Sequence, residues 1–202
     1  MSLRKLLIPV FATLSVAAGP ASTIRSESEC ARAHAWVARH KADLPTHLDG
    51  LSRYSMVYRR AIYAATPLEG RKLFWREHFA TYTTGPSAYV LTAKQKALVE
   101  EAASRLDVLL GENASNEREA IVRRALAEFG RPLATRVFAT LGSVPESATV
   151  SICDCHQGSV LTCVDIVGPN TECRESQCRE AAIGCGTFWA SSCNGTCQPE
   201  RS

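Results

Sequence analysis

A chain of 202 residues, 46% hydrophobic and 21% charged, is long enough for one ordinary domain and a small additional module. Its net charge of +3 is unevenly spread: residues 22–147 carry 18 Lys and Arg against 14 Asp and Glu, whereas residues 148–202 carry three against six. The mildly acidic C-terminal end argues against a nucleic-acid partner and against a cationic membrane-lytic peptide, both of which need a basic surface.

The chain opens with Arg4 and Lys5, followed by an apolar, uncharged run from Leu6 to Gly19 and then small residues. A positive start, a short apolar core and a small-residue exit predict a secretory signal peptide over 1–21. The core is shorter than a comfortable membrane span. Export through the general secretory pathway to a compartment where disulfides persist is the expectation.

Helices follow. Ser26 and Glu29 fit a capping box for a helix to about His40, with Ala33, Trp36, Val37 and His40 on its inner face. Cys30 lies in this helix and is read as a buried small hydrophobe, with a free thiol or an intermolecular link as alternatives. Pro45 breaks the pattern. Ser52 to Ala65 predicts a second helix with Tyr54, Val57, Tyr58, Ala61 and Ile62 inward and Arg59 and Arg60 toward solvent. Thr66-Pro67-Leu68-Glu69 combines an N-cap, an N1 proline and an N3 glutamate, and starts a third helix to about Tyr82. Thr92 and Gln95 box a fourth, with Leu98, Ala102, Leu106 and Leu109 at helical spacing. Asn116 and Glu119 open a fifth, which stops at Gly130; Pro132 to Leu141 is a sixth.

Catalytic patterns are weak in this region. Glu77 and His78 are adjacent, so on a helix they point in different directions and cannot share a substrate. Neither a His-Glu-x-x-His nor a Gly-x-Ser-x-Gly spacing occurs. The expectation is no enzyme, no cofactor and no metal.

Composition changes at a short linker, 143–150, containing Pro145. Beyond it lie eight of the nine cysteines: Cys153, Cys155, Cys163, Cys173, Cys178, Cys185, Cys193 and Cys197. An even count at this density predicts a disulfide scaffold, because so small a module cannot hold itself by apolar burial. Zinc is the rival reading, but only Cys193 with Cys197 and Cys173 with Cys178 approach knuckle spacing, and the other cysteines would be left over. Cys153 and Cys155 are too close to bond each other without strain; the rest of the connectivity stays open. Short strands are predicted at Thr149–Cys153 and Val160–Val167, a helical turn or more within Thr171–Ala182, an extended stretch at Thr187–Ser191 and a type I′ turn at Asn194-Gly195. Phe188 and Trp189 form the main aromatic feature of the module. One is expected to pack on the disulfide core and the other to be available for target contact.

The ending Gly184-Cys185-Gly186-Thr187-Phe188-Trp189, then Cys193-Asn194-Gly195-Thr196-Cys197, preceded by Cys153-Asp154-Cys155, resembles the bacteriocin fulvocin C-related proteins. So do Tyr58-Arg59-Arg60-Ala61-Ile62, Trp75-Arg76-Glu77-His78-Phe79 and Leu91-Thr92 with Gln95. The resemblance implies a secreted, disulfide-rich antimicrobial polypeptide made as a longer precursor. The long helical region and the acidic balance of the module depart from that bacteriocin.

The expected architecture is thus an all-helical domain of about six helices over 22–142, the linker 143–150, and a disulfide-rich module with short antiparallel strands over 151–202. The expected function is an antimicrobial precursor. Its helical domain would dock on the module, against Phe188 and Trp189, and mask it until a processing protease cuts the linker; the partner would be a target bacterial cell envelope. A non-toxic extracellular binding or inhibitor module is the alternative. Reduction is expected to unfold 151–202 and leave the helices intact.

Overall fold

The computed structural model describes residues 22–84, 90–143, 155–161, 163, 171–175 and 181–199. The predicted signal peptide, nearly all of the linker, the first module strand, and Cys153 and Cys178 lie outside these residues. Among the described residues seven α-helices come first: α1 (Ser22–Arg39), α2 (Leu48–Ser52), α3 (Met56–Ala65), α4 (Leu68–Thr83), α5 (Ala93–Ser104), α6 (Leu106–Leu109) and α7 (Ser115–Phe138). Four short strands follow, β1 (Thr171–Glu175), β2 (Ala181–Cys185), β3 (Ser191–Cys193) and β4 (Gly195–Pro199). An all-helical region followed by a module of short antiparallel strands is the class expected from the sequence.

The apolar stripes read from the sequence are the ones buried. Ala33 and Val37 of α1, Ala61 and Ile62 of α3, Leu98 and Ala102 of α5, and Ile121, Val122 and Ala125 of α7 all enter one core. The helix α4 runs through its middle and contributes Phe74, Trp75, Phe79 and Tyr82. At the edge, Trp36 stacks on His40 with ring centroids 4.4 Å apart and meets Tyr54 and Tyr58 at 5.2 and 5.7 Å. Cys30 is half-buried against this core.

Helix boundaries test the capping chemistry. Thr92 and Gln95 make both reciprocal bonds of the expected box, Gln95 N–H to Thr92 Oγ1 at 3.2 Å and Thr92 N–H to Gln95 Oε1 at 2.9 Å. The other expected boxes do not form. Helix α1 begins at Ser22, which puts Ser26 inside it. Thr66 turns its hydroxyl back to the carbonyl of Ile62 at 2.8 Å, and Glu69 bonds Lys72 at 2.6 Å instead of the free backbone donors. Asn116 falls one residue inside α7, whose N-cap is Ala114. Gly130 interrupts α7 with φ 67° and ψ 163°, so the expected stop and restart appear as a sharp kink before Pro132.

The expected second helix is split. Arg53–Ser55 leave the helical path, giving the short α2 and then α3. The cause lies in Arg59, which was expected in solvent and is only 1% exposed. Its Nε donates to Tyr54 O at 2.8 Å, Nη2 to Ser52 O at 2.5 Å, and Nη1 to Ser143 O at 2.5 Å and Leu141 O at 3.4 Å. These carbonyls close α2 and the segment after α7, where carbonyl oxygens carry no intrahelical partner and helix dipoles present negative charge. The guanidinium therefore acts as one cap for two segments, one of which lies 84 residues beyond Arg59 itself. Arg60, also expected outside, is 6% exposed, because β2 covers it.

The module corrects four further expectations. Thr171–Glu175 is a strand, paired antiparallel with β4, where a helical turn was expected. Val160, Leu161 and Cys163 are irregular where a strand was expected, and Thr187–Trp189 is a 3-10 turn where extended chain was expected. Asn194-Gly195 does not close a β3–β4 hairpin, since β3 pairs with β2 and β4 with β1.

Arg59→Ala should destabilise the protein by about 3–5 kcal/mol, because it strands four buried or half-buried carbonyls and empties a packed site. Arg59→Lys should recover little, since an ammonium cannot reach both chain ends with a fixed fork. Urea unfolding followed by far-UV circular dichroism measures both.

Candidate functional site

The module has little apolar material, so sulfur supplies its interior. Among the described residues, three disulfides join Cys155 to Cys173, Cys163 to Cys197 and Cys185 to Cys193. Cys155, Cys163 and Cys197 form a separate buried cluster with Cys173 at its edge. In the β1–β4 ladder Cys173 stands opposite Cys197, yet each bonds elsewhere, so two disulfides lie side by side. The Sγ atoms of Cys155, Cys163 and Cys173 all fall within 4.8 Å of one another. Cys155 thus bonds Cys173 and not its near neighbour Cys153. Cys173, Cys193 and Cys197, candidate ligands in the zinc reading, each commit their sulfur to a disulfide.

Gly195 is required by this stacking. A Cβ there would strike the Cys173 sulfur and come within 2.8 Å of Arg174 O and 3.1 Å of the Cys155 sulfur. The bare glycine lets the Cys155–Cys173 bridge cross the strand, while Cys155 N–H donates to Gly195 O at 3.3 Å. The turn signal at Asn194-Gly195 has a different use: Asn194 Oδ1 accepts from Gln157 N–H at 2.7 Å and ties the first described loop to the last strand.

The third disulfide builds a different object. Cys185 and Cys193 close the segment that carries Gly186, Thr187, Phe188 and Trp189. Contrary to the expectation that one aromatic would be available at the surface, Phe188 is 0% and Trp189 1% exposed. Neither belongs to the disulfide cluster; both belong to the helical core. The Phe188 ring lies 5.5 Å from Trp75, 6.0 Å from Phe138 and 6.3 Å from Phe79. Trp189 meets Tyr63 edge-on at 5.4 Å and donates its Nε1–H to Ala139 O at 2.9 Å. The Arg60 guanidinium sits 5.8 Å from the Trp189 ring. Both side chains are thus packed among residues of the helices.

The indole and phenol groups at the junction are matched. Trp75 Nε1–H donates to Tyr63 Oη at 3.1 Å, and Tyr63 O–H donates to Phe188 O at 3.0 Å. Burial pushes the Tyr63 phenol up, so it remains a neutral donor. Gly184, at φ 126°, brings β2 flat onto α3; a Cβ there would meet the Arg60 Cβ at 3.3 Å. A second anchor is Leu161, 1% exposed in the same core, beside Val160, whose carbonyl accepts from Arg131 Nη1 at 2.7 Å.

On another face, a cleft of about 590 Å³ is lined by His47, Ser52, Glu77, His78, Tyr82 and Ser143, among others. Glu77 and His78 diverge there, as helical geometry demands. Glu77 accepts from His47 Nδ1–H and Leu48 N–H, both at 2.6 Å, so it caps the start of α2 from a distance. His78 faces inward. Its Nε2–H donates to Arg136 O and Val137 O at 3.2 Å, and Nδ1 accepts from Gly142 N–H at 3.3 Å. Both ring nitrogens are used in the neutral form, and burial holds its pKa down to about 4.

Two outcomes test this arrangement. Trp189→Ala should lower the stability of the helices by about 3–5 kcal/mol, the cost of emptying a packed aromatic site, measured by urea unfolding of the helical signal. His78 has a folded pKa of about 4 against an ordinary value of 6.5. The unfolded chain therefore binds a proton first, and stability is lost as pH falls from 6.5 to 4. The loss should reach roughly 3 kcal/mol and be absent in His78→Gln, as read by thermal melts across that range.

Among the described residues no helix is long and apolar enough to cross a membrane. No protein-family description, curated protein or solved structure matches this chain.

Proposed function

We propose that this chain is a secreted, bacteriocin-like antimicrobial precursor, with the disulfide-rich module as effector and the helices as its escort. The reading rests on one observation above the others. The most apolar part of the module, Phe188 and Trp189, is held beneath the helices and away from solvent. A precursor that must not act on its maker's own envelope needs such a restraint. The restraint sits inside the stretch Gly184–Cys197 that carries the resemblance to the fulvocin C-related proteins. Three disulfides in the described part of the module support a life in an oxidising compartment.

The proposed sequence of events has no catalytic step by this chain. Export removes residues 1–21. A processing protease cuts within 143–150. The module then leaves the helices, and Phe188 and Trp189 become available to a target cell envelope. Trp189, whose indole has one polar edge, suits a lipid–water boundary, with Phe188 adding apolar area beside it.

A second reading draws on the same geometry. The aromatic turn is integral to the helical core, so a module that never leaves would make the chain a non-toxic extracellular binding or inhibitor protein. The deciding experiment compares oxidised full-length protein with protein cut within 143–150, each applied to growing bacteria. The antimicrobial reading expects killing only after the cut, with Trp189 fluorescence shifting to the red as the indole meets water. Absence of killing by both forms, with the cut halves still bound together, would reject it in favour of the binding reading.

A further inference from the structure

We infer that the Cys185–Cys193 disulfide is a redox latch on the helical core as well as a staple of the module. This goes beyond the antimicrobial reading and stands or falls independently of it.

The disulfide closes a turn that carries both core aromatics. Its ends are eight residues apart in sequence, and the β2–β3 ladder between them is irregular. Within it Gly186 has φ 69°, Phe188 φ 57° and Trp189 φ 52°. Two consecutive bulky residues in the left-handed region are strained and persist only where the surroundings fix them. Two restraints do so here, the covalent closure at Cys185–Cys193 and the socket formed by Tyr63, Trp75, Phe79 and Phe138. Opening the closure lets the backbone relax toward ordinary angles, which swings Phe188 and Trp189 out of register with that socket. The socket then lacks its central ring, and the helices lose packing they cannot replace from their own sequence.

Closure is a thiol–disulfide exchange. The thiols of Cys185 and Cys193 give two electrons to a disulfide oxidant, a protein or small-molecule R–S–S–R. One S–S bond forms, one breaks, and the two protons leave with the resulting pair of thiols. Because insertion of the turn and closure of the bond favour each other, the coupling is reciprocal: a filled socket must also protect the bond from reduction.

The test uses the full-length chain. Urea unfolding of the helical signal is measured for oxidised wild type, for wild type in dithiothreitol, and for an oxidised Cys155→Ser/Cys173→Ser variant that keeps the latch. The reduced protein is expected to show an unfolded-to-folded ratio at fixed urea about a hundredfold higher than the oxidised protein. The variant is expected to stay within a few-fold of oxidised wild type. The reciprocal arm measures reduction of Cys185–Cys193 by mass mapping in oxidised wild type and Phe188→Ala, and the bond should open at milder reducing conditions in Phe188→Ala. An unchanged helical midpoint in dithiothreitol, a loss of helix in the Cys155→Ser/Cys173→Ser variant equal to that on full reduction, or equal reducibility in Phe188→Ala would each overturn the inference.

Discussion

The insertion of Phe188 and Trp189 into the helical core is the contact on which the rest of the structure depends. The helices supply a socket with aromatic walls, and the module supplies what fills it. Neither half makes sense of its own residues alone. Tyr63 has a buried hydroxyl that needs an acceptor, and the acceptor is a carbonyl of the module. Trp189 has a buried indole N–H whose acceptor, Ala139 O, lies just after the last helix. An unpaired polar group in either position would cost more than the bond itself contributes, so these pairings fix the register in which the two parts meet.

Much of the helical region was legible in the sequence because its signals are local. The Thr92–Gln95 box has both partners within one turn, and the stripes at three- and four-residue spacing can only face one way. Expectations failed where a distant residue competed for the same group. Glu69 had Lys72 within reach, and Lys72 in turn is drawn to Asp107 of α6. Arg59 looks like a surface charge in its own helix; its acceptors are backbone carbonyls at Ser52, Leu141 and Ser143, which carry no mark in the sequence. The strand at Thr171–Glu175 was missed for a related reason. A polar two-stranded ribbon held by sulfur needs no alternating apolar face, so the usual period of two is absent.

The site was partly legible. The density of cysteines announced a disulfide scaffold, and Phe188 and Trp189 stood out as its main aromatic feature, although the sequence placed one on the disulfides and the other at the surface. Which cysteines bond was not readable, because ladder opposition misleads here: Cys173 and Cys197 face each other and bond elsewhere. Gly195 was read as a turn former on the strength of Asn194-Gly195. Its actual use is to leave room for a disulfide crossing over it, a demand visible only once the strands are in place.

The hydrogen bond from Tyr63 to Phe188 spans 125 positions of the chain, and that from Arg59 to Ser143 spans 84. A protein that is mostly helix among its described residues therefore has the wiring of a much less local fold. Helical proteins reach their native state quickly when their contacts are near in sequence, and speed falls as loops of this length must close before any contact rewards them. Here Phe188, at the centre of the core, is translated 125 residues after Tyr63, the helical partner of its carbonyl. A ribosome-bound chain can form individual helices early, but its hydrophobic centre stays open until Phe188 and Trp189 have been made.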